Sequence, residues 1–140
     1  MTIFQMEQKH FTDYISPKLI DRFPQLANFC TTKPNNIVDI DYKSPQGKLT
    51  LWITTQDQEI TVGLTGDMDC DWHTHMSLFG ANTPEEELEA ATQLINSILN
   101  DQEPIVHSNL NGYFLTDDIS ALEKYLSKNE TVQLFKWSDL

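Results

Sequence analysis

The chain has 140 residues, of which 39% are hydrophobic, and its 9 basic residues stand against 21 acidic ones, which gives a formal net charge of −12. This length and hydrophobic content predict a single globular domain, residues 1–140, with room for a core. The charge disfavours binding to nucleic acid or to an anionic membrane, both of which require a basic surface, and favours a cationic partner.

The first predicted elements are two short helices. Apolar residues follow helical spacing from Phe4 to Ile15. The pair Ser16-Pro17 can end one helix and begin the next, because serine is a good cap and proline fits the first helical turn. The second helix would carry Leu19 and Phe23. We interpret these apolar side chains as core residues.

From residue 36 onward the apolar residues alternate with polar ones, which predicts β-strands. Turn residues at 44–47, 56–58 and 66–67 separate four such segments. The segments therefore predict an antiparallel meander of four strands. Their inward positions are Val38, Ile40 and Tyr42 in the first strand, Leu49, Leu51 and Ile53 in the second, Ile60, Val62 and Leu64 in the third, and alternate residues of 70–78 in the fourth.

A helix is predicted to begin at Thr83-Pro84. Thr83 is a candidate N-cap, Pro84 occupies the favoured first helical position, and Glu86 lies where a capping box requires an acidic residue. An apolar stripe then follows helical spacing as far as Ile98. We expect the helix to end at Asn100-Asp101.

The C-terminal part predicts short elements: strands at 104–107 and 112–115, a helix capped by Asp117 or Asp118, and a closing strand at 131–137. Strands grouped before a helix are typical of the α+β class. We therefore expect an antiparallel sheet, a four-strand meander plus C-terminal strands, with helices packed on one face.

The expected cellular compartment depends on whether the sequence carries a membrane-spanning segment or a secretory signal. No apolar run is long enough to span a membrane, and residues 1–7 do not have the basic segment and apolar core of a secretory signal, so we expect a cytoplasmic protein. Cys30 and Cys70 belong to no Cys-x-x-Cys motif. We interpret them as small buried apolar side chains and not as a disulfide.

The stretch from Asp71 to His75 is the clearest candidate for chemistry. On a strand, Asp71, His73 and His75 share one face, whereas Trp72 points to the other. Three such donors could hold zinc and leave a position for water. The two histidines also resemble the start of the JAMM metalloprotease pattern, in which His-x-His-Pro is followed after six residues by Ser-x-x-Asp.

The rest of the JAMM pattern is not matched. Met76 replaces its proline, Thr83 its serine and Glu86 its aspartate, and the longer glutamate suits a tight metal site poorly. Helix capping explains Thr83 and Glu86 without a metal. We therefore expect no catalytic activity, no bound metal and no cofactor, although a zinc-dependent hydrolase stays open as an alternative.

The chain as a whole resembles the small immunity proteins of bacterial polymorphic or contact-dependent growth inhibition toxin systems. The resemblance spans most of the chain and has the His-containing strand as its landmark. It rests on the order of a helical N-terminus, "IVDIDYKSPQGKLTLWITTQDQEITVGL", an acidic turn, "DWHTHMSLFG", "TPEEELEAATQLINSIL" and a closing "FKWSDL". It implies a cytoplasmic, non-enzymatic protein that binds the cognate toxin's C-terminal domain and neutralises it.

Many such toxins are nucleases, and a basic substrate cleft attracts a polyanionic protein. We predict a partner-binding site around the third turn and the His-containing strand, with Asp67, Asp69, Asp71 and His73 supplying charge and Trp72 a candidate apolar anchor. An acidic adaptor or regulatory domain remains a further alternative.

Overall fold

The computed structural model describes residues 3–67 and 71–140, with side chains from residue 7 onward. These residues form helices and two antiparallel sheets, which confirms the predicted α+β class. The α-helices are α1 (Ile3–Arg22), α2 (Pro84–Leu99) and α3 (Ile119–Leu122). The strands are β1 (Cys30–Lys33), β2 (Ile37–Lys43), β3 (Thr50–Thr54), β4 (Thr61–Thr65), β5 (Asp71–His75), β6 (Ile105–Ser108), β7 (Gly112–Phe114) and β8 (Val132–Phe135).

The first sheet has the strand order β1-β2-β3-β4-β5, and the second has the order β7-β6-β8. The predicted four-strand meander is therefore present as β2 to β5, and its order is confirmed. The prediction missed β1, which adds a fifth strand. All four residues of β1 are exposed, so the strand has no apolar alternation that a sequence pattern could reveal. The C-terminal strands do not extend the first sheet but form their own.

The N-terminal segment is one helix, so the prediction of two short helices was wrong. Pro17 lies inside α1 and is exposed. A proline removes one backbone hydrogen bond from a helix interior and costs about 3 kcal/mol. Burial offsets that cost, because Phe11, Ile15 and Leu19 on the same helix belong to the core and are at most 6% exposed.

Strand alternation divides the first sheet into two faces. The inner face carries a register row of Ile40, Ile53, Val62 and Thr74, and its apolar members pack with the apolar stripes of α1 and α2. The opposite face, which we call the outer face, carries mainly polar side chains of β2 to β5. Helices therefore pack on one face of this sheet, as the alternation predicts.

The N-terminus of α2 is capped by Thr83, as predicted. The Glu86 N–H group donates to Thr83 Oγ1 at 3.1 Å, but Glu86 Oε1 accepts from the backbone of Asn82 and not from that of Thr83. The Glu86 side chain thus bonds to the backbone of the residue before the N-cap, and the reciprocal hydrogen bond of a capping box is not formed with Thr83 itself. The predicted stripe is also observed, with Leu88, Ala91, Ile95 and Ile98 buried.

Three further expectations are corrected. Cys30 is exposed and not buried, because it lies on the edge strand β1, whose four residues are all exposed. Cys70 lies outside the described residues. The closing strand ends at Phe135, and Trp137 is buried in a 3-10 turn, where it stacks on Tyr42. The fourth strand ends at His75 and not at residue 78.

None of the helices in the described part of the chain combines the length and apolar character that a membrane crossing requires.

Glu87 is a charged residue that the sequence pattern did not place in the core. It is 6% exposed, and its Oε1 accepts a hydrogen bond of 2.7 Å from the Ile60 N–H group. Burial raises the pKa of Glu87, and the hydrogen bond from Ile60 opposes this shift only in part. Glu87 thus ties α2 to the chain entering β4.

We expect the stability of the protein relative to its Glu87→Gln variant to fall as the pH rises from about 4.5, the ordinary glutamate pKa. The folded state holds the Glu87 proton more tightly than the unfolded chain does, so deprotonation in that interval favours unfolding. Urea unfolding between pH 4 and pH 7 measures this difference. The exposed Glu85→Gln variant is the control, and parallel pH curves for both variants would contradict the effect.

Candidate functional site

The centre of the outer face is built around Trp52. Strand register aligns Asp41, Trp52, Gly63 and His73 across β2 to β5. The indole lies across Gly63, because a Cβ added to that glycine would be only 2.1 Å from Trp52 Cε2. The Trp52 Nε1–H group donates to Asp71 Oδ1 at 2.9 Å. The missing side chain at Gly63 therefore makes room for a half-buried tryptophan in a polar face.

Carboxylates surround this tryptophan. Asp71 Oδ1 also accepts a 3.1 Å hydrogen bond from the Thr65 hydroxyl, so two donors fix one oxygen. Asp39 accepts from the Thr54 hydroxyl at 2.6 Å and pairs with Lys33. Asp41 is exposed. Asp39, Asp41 and Asp71 line a shallow depression of about 280 Å³ next to the indole.

The two histidines of β5 share the outer face, as the alternation predicts, with ring centroids 5.2 Å apart. His73 is exposed, and its ring lies 5.9 Å from that of Trp52. His75 Nδ1 lies 2.7 Å from Glu59 Oε1 and 2.9 Å from Thr61 Oγ1. His75 is therefore oriented by its strand neighbours.

No three His, Cys, Asp or Glu side chains in the described parts of the chain come together in a group that could hold a metal ion. The residues that stand at the later JAMM positions, Thr83 and Glu86, are engaged in capping α2. Thr83 and Glu86 are therefore part of a helix start, and His75 is part of a polar sheet face.

Asp67 lies beside the second sheet. Its Oδ2 is 3.0 Å from His107 Nε2, and the His107 ring lies 4.5 Å from the Tyr113 ring. This contact joins the end of the β4 turn to β6 across 40 residues of sequence. Asp69 lies outside the described residues. Asp67 is thus placed by a partner that the sequence pattern did not identify.

Trp72 points to the opposite face of β5 from the predicted site residues Asp71 and His73. It is half-buried on the inner face, where it packs against the core, while Asp71 and His73 lie on the outer face. Trp72 also lines a depression of about 410 Å³ with Tyr113 and Phe114 of the second sheet. Asp71 lines this depression too, and His73 lines a different one together with Trp72, so the described β5 members of the predicted site lie on both strand faces but share depressions.

A second candidate surface surrounds Phe79 and was not predicted. Two depressions of about 500 Å³ and about 560 Å³ share Phe79, Leu94 and Glu103 as lining residues, and we call them together the Phe79 groove. Its apolar walls are Trp72, Leu78, Phe79, Leu94 and Leu115, and its acidic positions are Glu86, Glu89, Glu103 and Asp117. The sequence pattern assigns Glu86 to a capping box and Asp117 to a possible helix cap, and it does not indicate that they line one groove.

Glu103 is half-buried in the groove, and Asp117 lines the same depression. Burial raises the pKa of Glu103, and the neighbouring charge of Asp117 raises it further. Glu89, in contrast, pairs with Arg22 at 2.8 Å. Among the described residues that line the groove there is no lysine or arginine. The Glu103 side of the groove therefore combines two carboxylates with His73, and its described lining residues include no lysine or arginine.

No known protein-family profile, curated protein or solved structure matches this chain significantly.

Proposed function

We propose that this chain is an immunity protein that binds and neutralises a basic toxin domain by protein–protein contact. The observation that carries the proposal is the net charge of −12, dispersed over a folded α+β chain. Such a charge raises the association rate with a basic partner and disfavours anionic ones. A nuclease is the toxin class that fits best, because its cleft must be basic to hold phosphate.

The outer face supports this proposal through its exposed charge. Asp41 and His73 are exposed on either side of Trp52, and Asp71 is held in place by Trp52 and Thr65. A carboxylate that is already oriented loses little side-chain entropy when a cation approaches it. The proposed partner-binding residues are Asp67, Asp69, Asp71, Trp72 and His73, and both Asp67 and Asp71 are oriented in this way, Asp67 by His107.

The test is co-expression with the toxin domain encoded by the neighbouring gene, followed by binding kinetics at two salt concentrations. We expect protection of the cells and a complex at low salt. Replacing Asp67, Asp69 and Asp71 with asparagine should slow association roughly tenfold at low salt and flatten its salt dependence. Because Asp67 and Asp71 also have partners within the fold, the unfolding free energy of the variant must be measured alongside.

A matched control carries asparagine at Asp13, Asp21 and Asp57, three exposed positions on other surfaces. This variant loses the same charge, so equal slowing in both variants would point to net charge alone and not to the proposed site. Absence of both protection and complex would refute the immunity function. A complex without protection would favour an adaptor, and stoichiometric zinc lost on His73→Ala/His75→Ala substitution would favour the hydrolase.

A further inference from the structure

Leu78 and Phe79 are presented by an anchored turn. The turn spans Met76–Phe79 as a 3-10 helix. Met76 is fully buried and its N–H group donates to Ile60 O at 3.2 Å, while Ala81, on the other side, is 6% exposed. Gly80 ends the turn with a φ of 88°, a left-handed conformation that favours glycine. The chain is thus held in the core on both sides of the two apolar residues.

The exposure of these two residues is high for large apolar side chains. Leu78 is 75% exposed and Phe79 is 55% exposed. A single exposed apolar residue is ordinary in a folded protein. These two are adjacent and continue into half-buried Trp72 and Leu94, so they form part of one apolar surface that is shaped as a groove. Contiguous apolar surface with a polar rim is typical of a protein interaction site.

Charge indicates what the groove would bind. Glu103 and Asp117 line the groove together, and the Asp117 charge adds to the rise in the Glu103 pKa that burial causes. The groove's described lining includes His73 but no lysine or arginine. A lysine or arginine from a partner would relieve this repulsion and form charge-assisted hydrogen bonds. A second copy of this chain fits poorly, because its own acidic groove would meet the same carboxylates.

We propose that the Phe79 groove binds an apolar segment of the basic partner, with a lysine or arginine of that segment placed between Glu103 and Asp117. This inference rests on the proposed function, because the partner is the toxin domain proposed above. Leu78 and Phe79 are the side chains that contact the apolar part of the partner segment. The outer face then contributes to capture by charge, and the groove determines how long the complex lasts.

The test measures binding of the toxin domain encoded by the neighbouring gene to groove variants of the full chain. Phe79→Ser should raise the Kd roughly tenfold or more, mainly through faster dissociation, as expected for an apolar anchor. The Glu103→Gln/Asp117→Asn variant should bind severalfold more weakly at low salt and lose part of the salt dependence. Leu78→Ser removes the second apolar side chain of the turn, and it tests the groove independently if Phe79→Ser alters the fold.

Matched controls carry the same changes away from the groove. Leu134 on β8 is 52% exposed, so Leu134→Ser removes a similarly exposed apolar side chain. Glu123→Gln/Asp57→Asn removes two exposed carboxylates. Both controls should bind as the parent chain does. All variants are compared by thermal unfolding, and equal melting temperatures in the parent and groove variants indicate that binding and not folding has changed.

The possible outcomes separate the two proposals. If the parent chain forms no complex with the toxin domain, both the immunity function and this inference fail. If the parent binds and the groove variants bind equally well, the immunity function stands and the groove assignment is wrong. If sedimentation shows a parent dimer that Phe79→Ser dissociates, the occupant is a second copy and the proposed partner segment is refuted.

Discussion

Replacing Ile95 with alanine is expected to lower the free energy of unfolding by roughly 2 to 5 kcal/mol. Ile95 is fully buried on α2, where it packs in the cluster that also contains core residues of α1 and the first sheet. Removing its outer carbons loses hydrophobic burial and leaves a cavity that a sheet and two helices can fill only in part. Urea or guanidinium unfolding followed by circular dichroism measures the loss.

Thr83→Ala on the same helix is the variant with which the loss of unfolding free energy in Ile95→Ala is compared. It removes the N-cap hydrogen bond to Glu86 and should cost only about 1 kcal/mol, because the cap is exposed and water can replace it. A loss for Ile95→Ala no larger than that for Thr83→Ala would mean that α2 does not pack on the sheet as described. The comparison therefore tests packing and capping on one helix.

Gly63→Ala is expected to destabilise the protein by about 1 to 3 kcal/mol, the usual range for overpacking. The new Cβ would lie 2.1 Å from Trp52 Cε2, so the indole must move. Movement of the indole breaks its hydrogen bond to Asp71. We expect a lower free energy of unfolding and a changed tryptophan fluorescence, both measured against the parent chain.

A double-mutant cycle identifies the cause of that loss. In a Trp52→Leu background the alanine at position 63 meets a smaller side chain, so it should cost less than in the parent chain. If the alanine costs the same in both backgrounds, the loss arises from the β4 backbone and not from the indole. The cycle thus separates a steric role of Gly63 from a general effect of strand substitution.

The sequence allowed the prediction of elements whose burial is periodic. The alternation in β3 and the stripe of α2 follow from a buried face and a more exposed face, and both are observed. In β4 the burial does not alternate, because Thr61 and Gly63 on the outer face are buried as well. It did not reveal β1, which is exposed throughout, or the continuous α1, in which core burial outweighs the effect of Pro17. Local patterns fail where tertiary packing decides the outcome.

The candidate sites were harder to predict because their contacts are distant in sequence. Trp52 reaches Asp71 across 19 residues, and His107 reaches Asp67 across 40. Spacing within one strand gave the shared face of Asp71 and His73 but could not supply these partners. The predicted strand at 70–78 includes Leu78, whereas the chain turns after His75 and exposes both Leu78 and Phe79.

The composition of β1 has a consequence for behaviour at high concentration. As the end strand of its sheet, β1 has backbone N–H and C=O groups on one side that can pair with a strand of another molecule. Its sequence, Cys30-Thr-Thr-Lys33, is short and includes a lysine that pairs with Asp39. A long, flat, apolar edge strand would favour pairing between the sheets of neighbouring molecules and hence aggregation. A short edge strand that carries a lysine disfavours such pairing.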